Sequence, residues 1–99
     1  SEDSKGCHQW LIEFDKRPGD LNIFIDTLDI ALQKVNSDYE AKRYKNMTLE
    51  RPMVIEAREN LFYNWLKSKG KVGGQNKVPR LANNREYIDE LIVLNNQMQ

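Results

Sequence analysis

Leu21, Phe24, Ile25, Leu28, Leu32 and Val35 recur at three- and four-residue steps. A helix over this stretch carries one apolar stripe and needs a surface to bury it against. Asp20 stands where an N-cap belongs. Just upstream, His8 to Phe14 alternates, with Trp10, Ile12 and Phe14 on one face and Gln9, Leu11 and Glu13 on the other. That is the period of a strand. Lys16-Arg17-Pro18-Gly19 closes it, because proline lacks the ladder donor and glycine supplies a turn. Asp26, Asp29 and Gln33 are expected on the wet side of the helix. The carboxylate pairs Asp26/Asp29 and Glu86/Glu90 therefore read as ordinary surface charge.

Further along, Asn36 to Arg51 is polar, and a short helical continuation to about Tyr44 gives way to an irregular link. Pro52 opens a second strand, Met53 to Arg58, by its alternation. Asn60 is expected to cap a helix that buries Leu61, Phe62, Trp65 and Leu66 and stops at Gly70. Lys77 to Ala82 reads as a short third strand, at an edge because of Pro79. Asn83, three residues before Glu86, resembles a capping-box variant opening a last helix with Tyr87, Ile88, Leu91, Ile92 and one of Val93 or Leu94 inward. The order β-α-β-α-(β)-α predicts an α+β fold: a small mixed sheet of two or three strands with helices mainly on one face. Trp10 and Trp65 are assigned to the core.

Ninety-nine residues support one modest core, so residues 1–99 are expected to form a single domain. No apolar run approaches the roughly 18 residues a membrane span needs, and the polar start is no signal peptide. The chain opens on Ser1, as an excised or processed chain would. One cysteine, Cys7, excludes an internal disulfide, and one histidine, His8, cannot build a zinc site with it. Neighbouring strand residues point to opposite faces, which also excludes a Cys7–His8 catalytic pair. A reducing, cytoplasmic setting follows. Net charge is +0, which removes the main support for general nucleic-acid binding.

Positive charge is instead concentrated. Lys67, Lys69, Lys71, Lys77, Arg80 and Arg85 fall in a stretch with no acid between Glu59 and Glu86. Within it, Gly73-Gly74 can take conformations closed to other residues, and Pro79 restricts the backbone two residues after Lys77. The segment is no phosphate-binding P-loop, since Val78 follows Lys77 where serine or threonine is required. It reads either as a solvated loop or as a swinging lysine for an anion that arrives, reacts and leaves. Tyr39, Lys42 and Arg43 lie within helical reach of one another and read either as a solvated helix end, which the composition favours, or as a second anion-contacting or domain-docking face.

His8-Gln9-Trp10-Leu11-Ile12-Glu13-Phe14, Asn36-Ser37-Asp38-Tyr39, Pro52-Met53-Val54-Ile55-Glu56 and Gln75-Asn76-Lys77-Val78-Pro79-Arg80 follow in an order that resembles a known family. It is the C-terminal domain of the Gretchen Hagen auxin-responsive promoter family, the acyl acid–amido synthetases related to the adenylate-forming superfamily. The likeness runs from Cys7 to about Leu94, and the Ser37–Arg43 run is more similar to bacterial members. The resemblance implies a two-step ligase that joins a carboxylic acid to an amine or amino acid through an acyl-adenylate. ATP and Mg2+ would be bound mainly by an N-terminal adenylation domain of the same polypeptide, and this chain would be the lid, inactive alone and holding no cofactor itself. It also implies Lys77 as the catalytic cation with Arg80 in support. Tyr39, Arg43, Lys71, Gly73, Gly74 and Gln75 would be binding or docking residues, with no metal ligand and neither nucleic acid nor membrane as partner. The competing expectation is a stand-alone ferredoxin-like module binding RNA or protein through exposed sheet aromatics such as Trp10 and Phe14.

Overall fold

A computed structural model describes residues 6–73 and 77–98. The elements run β1 (Gly6–Ile12), α1 (Leu21–Val35), α2 (Ser37–Arg43), a 3₁₀ turn (Tyr44–Asn46), β2 (Leu49–Glu56), α3 (Leu61–Ser68), β3 (Leu81–Ala82) and α4 (Arg85–Gln97). The strands form one mixed sheet in the order β2-β1-β3, so the fold is α+β as the alternation of elements predicts. β3 pairs antiparallel with β1, Leu11 opposite Ala82 and Ile12 opposite Leu81. The chain packs as two compact units, one from residues 6–9 and 18–54, the other from 10–17, 55–73 and 77–98.

In the first unit, Asp20 caps α1 as expected, its carboxylate accepting from the N–H groups of Asn22 and Ile23. Ile25 is buried on the apolar stripe, while Val35 at the helix end is exposed. The helical continuation is a separate helix. Asn36 takes an extended backbone, and its side chain accepts from the Tyr39 N–H to start α2. Lys45 and Asn46 then sit at positive φ and turn the chain toward β2. β2 begins at Leu49, upstream of the expected start, with Pro52 inside it and buried. An edge strand tolerates this, because its outer N–H positions have no ladder partner to lose.

The second unit holds the main core: Leu11, Leu61, Phe62, Trp65, Leu66, Ile88 and Leu91. Leu11 is fully buried, whereas Trp10 is only partly so; the strand ends at Ile12, so its alternation does not carry on to Phe14. α3 starts without the side-chain cap expected from Asn60, which lies at φ 70. The Glu13 carboxylate does the capping instead, accepting from the N–H of Asn60 at 2.9 Å and of Phe62 at 3.4 Å. At the other end, Gly70 at φ 69 closes the helix. Its N–H donates to Lys67 O and that of Lys71 to Leu66 O, the paired bonds of a Schellman stop. α4 is capped by Asn84 and not Asn83, its side chain accepting from the N–H groups of Glu86 and Tyr87. Ile88 and Leu91 point inward, Tyr87 and Val93 outward, and Asn95 is buried where its Oδ1 accepts from the Arg58 N–H.

Candidate functional site

The basic stretch leaves the stop at Gly70 and returns to the sheet at β3. Gly73 has φ 93, a left-handed conformation that a side chain would strain, in keeping with the expectation that the turn needs glycine. Gly74 and Gln75 lie outside the described residues. On the return, the Glu13 N–H donates to the Arg80 carbonyl at 2.7 Å, extending the β1–β3 pairing by one bond and anchoring the backbone three residues after Lys77. The same residue, Glu13, therefore caps α3 with its side chain and holds the Arg80 segment with its main chain.

The cations of the stretch divide into two groups. Lys69 pairs with Glu90 at 2.8 Å and lies over the Trp65 ring, and Glu90 also accepts from Trp65 Nε1 at 3.1 Å. These bonds, with Lys69 foremost, hold the Glu90 carboxyl below its ordinary range. Arg85 pairs with Asp89 one helical turn on. Arg80 has one loose contact, Nη1 to Asp15 Oδ1 at 3.9 Å. Lys67, Lys71 and Lys77 are exposed, and no acid among the described residues pairs with them. Lys77 is thus an unneutralised ammonium on a segment fixed at one end by Pro79 and the bond to Glu13.

Val78 to Ala82 also separates two depressions of the second unit. Pro79, Leu81 and Ala82 wall an apolar groove of about 320 Å³ floored by Phe62, Trp65 and Leu91. Arg80 instead lines a charged cleft of about 410 Å³ with Glu13, Asp15, Arg17, Glu56 and Glu59. In that cleft, the Arg17 guanidinium forks onto Glu56 at 2.6 and 2.8 Å, which raises the Arg17 pKa further.

The second face proposed from sequence is built differently. Tyr39 is buried, and its hydroxyl donates to Asp29 Oδ1 at 2.6 Å. Arg43 donates through Nε and Nη2 to the two Asp29 oxygens at 2.8 and 2.6 Å, and through Nη1 to Asn46 and the Leu49 carbonyl. The His8 ring lies 5.5 Å from that of Tyr39. Arg43 holds the Asp29 carboxyl down to about 2 against the opposing pull of burial. Burial first, and the bond to Asp29 second, push Tyr39 up to about 12. Tyr39 and Arg43 are therefore turned inward and joined to each other through Asp29, and do not form a free anion-contacting face. Asp29, expected in water, is one of the most buried polar residues of the chain. A tyrosine and an arginine at i,i+4 were the visible half of this network; the acid that completes it lies across a helix break.

Trp10 and Phe14 are both partly buried, and Phe14 lies beyond the end of β1. Among the described residues no helix is long and apolar enough to cross a membrane, and no three His, Cys, Asp or Glu side chains converge as metal ligands.

The fold is an α+β domain in which Lys67, Lys71 and Lys77 have no acidic partner among the described residues. The GH3 family C-terminal domain model matches residues 1–86, and the chain belongs to that family. No curated protein and no solved structure matches it.

Proposed function

We propose that this chain is the C-terminal lid of an ATP-dependent ligase that joins a carboxylic acid to an amine or amino acid through an acyl-adenylate. The N-terminal adenylation domain of the same polypeptide would hold ATP, Mg2+ and the acid, in the cytoplasm, and the lid alone would be inactive. Membership in the GH3 family and the Gln75–Arg80 motif support this reading. The bacterial character of the Ser37–Arg43 run is part of the same proposal.

The observation that carries it is Lys77: exposed, without an acidic partner among the described residues, and next to a backbone tied down at Pro79 and Arg80. Adenylation drives a carboxylate against a polyphosphate and spreads negative charge over the phosphoryl oxygens. A positioned ammonium brought in by domain closure stabilises that charge by about 2–4 kcal/mol, and reopening lets products leave. A lysine already neutralised by its own domain could not do this without first breaking a pair. Arg80, held only loosely by Asp15, supports the same charge.

In the full-length enzyme, Lys77→Ala lowers adenylation, measured as acid-dependent exchange of pyrophosphate into ATP, by at least about tenfold. Lys67→Ala, which removes another exposed cation, from α3, serves as the control. Equal rates in the two variants would take Lys77 out of the mechanism.

A further inference from the structure

The apolar groove beside β3 has no part in the lid reading, and it runs along an open sheet edge. Phe62, Trp65 and Leu91 floor it, and Pro79, Leu81 and Tyr87 stand at its walls. Leu81 and Tyr87 are both exposed. The register of β1 against β3 decides which main-chain groups are free. Leu11 faces Ala82 and Ile12 faces Leu81, and one step on the Glu13 N–H donates to the Arg80 carbonyl. Bonded and non-bonded pairs alternate along an antiparallel ladder. Arg80 and Ala82 therefore turn their main chain toward β1, and the N–H and C=O of Leu81 point out from the edge. Neither group has a main-chain partner among the described residues. The edge is cationic as well, since Lys77 and Arg80 belong to its segment and no acid occurs between Glu59 and Glu86. Of the acids on α4, Asp89 and Glu90 are held by Arg85 and Lys69, and Glu86 alone lacks an ion pair among the described residues.

We infer that this edge takes up an extended, acidic segment of a separate protein, added as a further strand beside β3. Its main chain bonds to the Leu81 N–H and C=O. Apolar side chains on one of its faces enter the groove, and carboxylates lie opposite Lys77 and Arg80. Strand addition of this kind draws affinity from main-chain bonds and selectivity from pockets for alternate side chains. A groove of about 320 Å³ lies at the small end of ligand sites and suits the side chains of a single strand. A second copy of this chain fits less well. An antiparallel pair centred on Leu81 would set Lys77 opposite Arg85 of the other copy, and like charges directly opposite destabilise a sheet. A nucleic acid would answer the cations but leave the groove and the Leu81 main chain unmatched. The occupant is assigned to a separate protein because Lys77 and the edge share one segment. A strand fixed there by the parent's own fold would hold Lys77 at every step, whereas a lid has to reopen for products to leave. That assignment rests on the lid reading; the strand addition itself does not.

The probe is a soluble peptide, acetyl-Asp-Leu-Thr-Leu-Thr-Leu-Glu-amide, titrated into this chain and into the parent enzyme. Amide chemical shifts follow the binding to this chain, and calorimetry follows both. Saturable shifts are expected at Leu81, Ala82 and the Trp65 indole N–H. A version with lysine at both ends, and one N-methylated at its central leucine, should each bind about tenfold more weakly or worse. Lys77→Glu should weaken the acidic peptide and strengthen the lysine one. Absence of saturable shifts at these residues, or equal binding of the N-methylated peptide, overturns the inference. So does a uridine hexanucleotide that shifts the same residues at lower concentration than the peptide. Shifts along β3 that grow with chain concentration alone mark a second copy and overturn it too. Binding to this chain but not to the parent gives the groove to the parent's own fold and overturns the separate partner. Peptide binding alongside unimpaired exchange in Lys77→Ala would instead sink the lid reading and leave the strand addition standing.

Discussion

Two groups of candidate site residues stand out in this sequence, Tyr39 with Arg43 and Lys77 with Arg80, and the structure gives them opposite fates. In the first unit, Tyr39 and Arg43 close onto Asp29, and every donor of that guanidinium cited above has an internal acceptor. In the second, Lys77 and Arg80 emerge beside an edge strand, and the one charged contact of the pair among the described residues is Arg80 to Asp15 at 3.9 Å. The first cluster fixes α2 against α1 and against the start of β2. The second leaves charge unspent. Burial with full hydrogen bonding marks charge that serves the fold, and exposure on an anchored backbone marks charge available to another molecule.

The sharpest test of this contrast removes Asp29. Asp29→Ala leaves the Arg43 guanidinium buried with its main partner gone, which should cost about 3–5 kcal/mol of stability. For Lys77→Ala the expected change is within about 0.5 kcal/mol, because an exposed side chain without a partner stabilises nothing. Chemical denaturation of both variants measures the difference. A loss of less than about 1 kcal/mol in Asp29→Ala would show the network to be no more than a surface pair.

Acid and base titration of the same network gives the next largest effect, with opposite signs at the two ends. Asp29 is held at about 2 in the folded chain against an ordinary 3.8, so its contribution is present above about 4 and is lost as pH falls toward 2. That is about 2–3 kcal/mol on complete protonation. Tyr39 is raised to about 12 from 10.0, so its contribution is intact below 10 and is lost as pH rises from there toward 12. Stability should therefore hold a plateau between these limits, with the acid limb flattened in Asp29→Asn and the alkaline limb flattened in Tyr39→Phe. An unaltered acid limb in Asp29→Asn would detach the carboxylate from the transition.

Much of the fold could be read from local pattern because local pattern causes it. Asp20 caps α1, Gly70 stops α3, and the α3 core positions Leu61, Phe62, Trp65 and Leu66 recur at helical spacing. What stayed hidden depends on partners distant in the chain. Asp29 sits among the polar positions of α1, and nothing within the helix shows that an arginine 14 residues on will turn back to meet it. Asn83 and Asn84 are equally able caps by composition, and the backbone selects the second. The candidate site was half legible. Lys77 and Arg80 could be found from charge and motif, but the cleft that Arg80 lines draws Glu13, Asp15 and Glu59 from other parts of the sequence.

Glu13 provides the smallest effect, and the one that links the two roles of charge. Its side chain accepts from the first N–H groups of α3, where a carboxylate also meets the positive end of the helix dipole, while its N–H holds the Arg80 carbonyl. Glu13→Gln keeps an acceptor but removes the charge, and should cost about 0.5–1 kcal/mol. Glu13→Ala removes the cap altogether and should cost about 1–2 kcal/mol. Neither substitution touches the main-chain bond to Arg80, so hydrogen exchange at the Glu13 amide should stay slow in Glu13→Gln while the amides of Asn60 and Phe62 exchange faster. If all three speed up together, the cap and the anchor are a single device, and the segment bearing Lys77 takes its rigidity from α3 and not from the sheet edge.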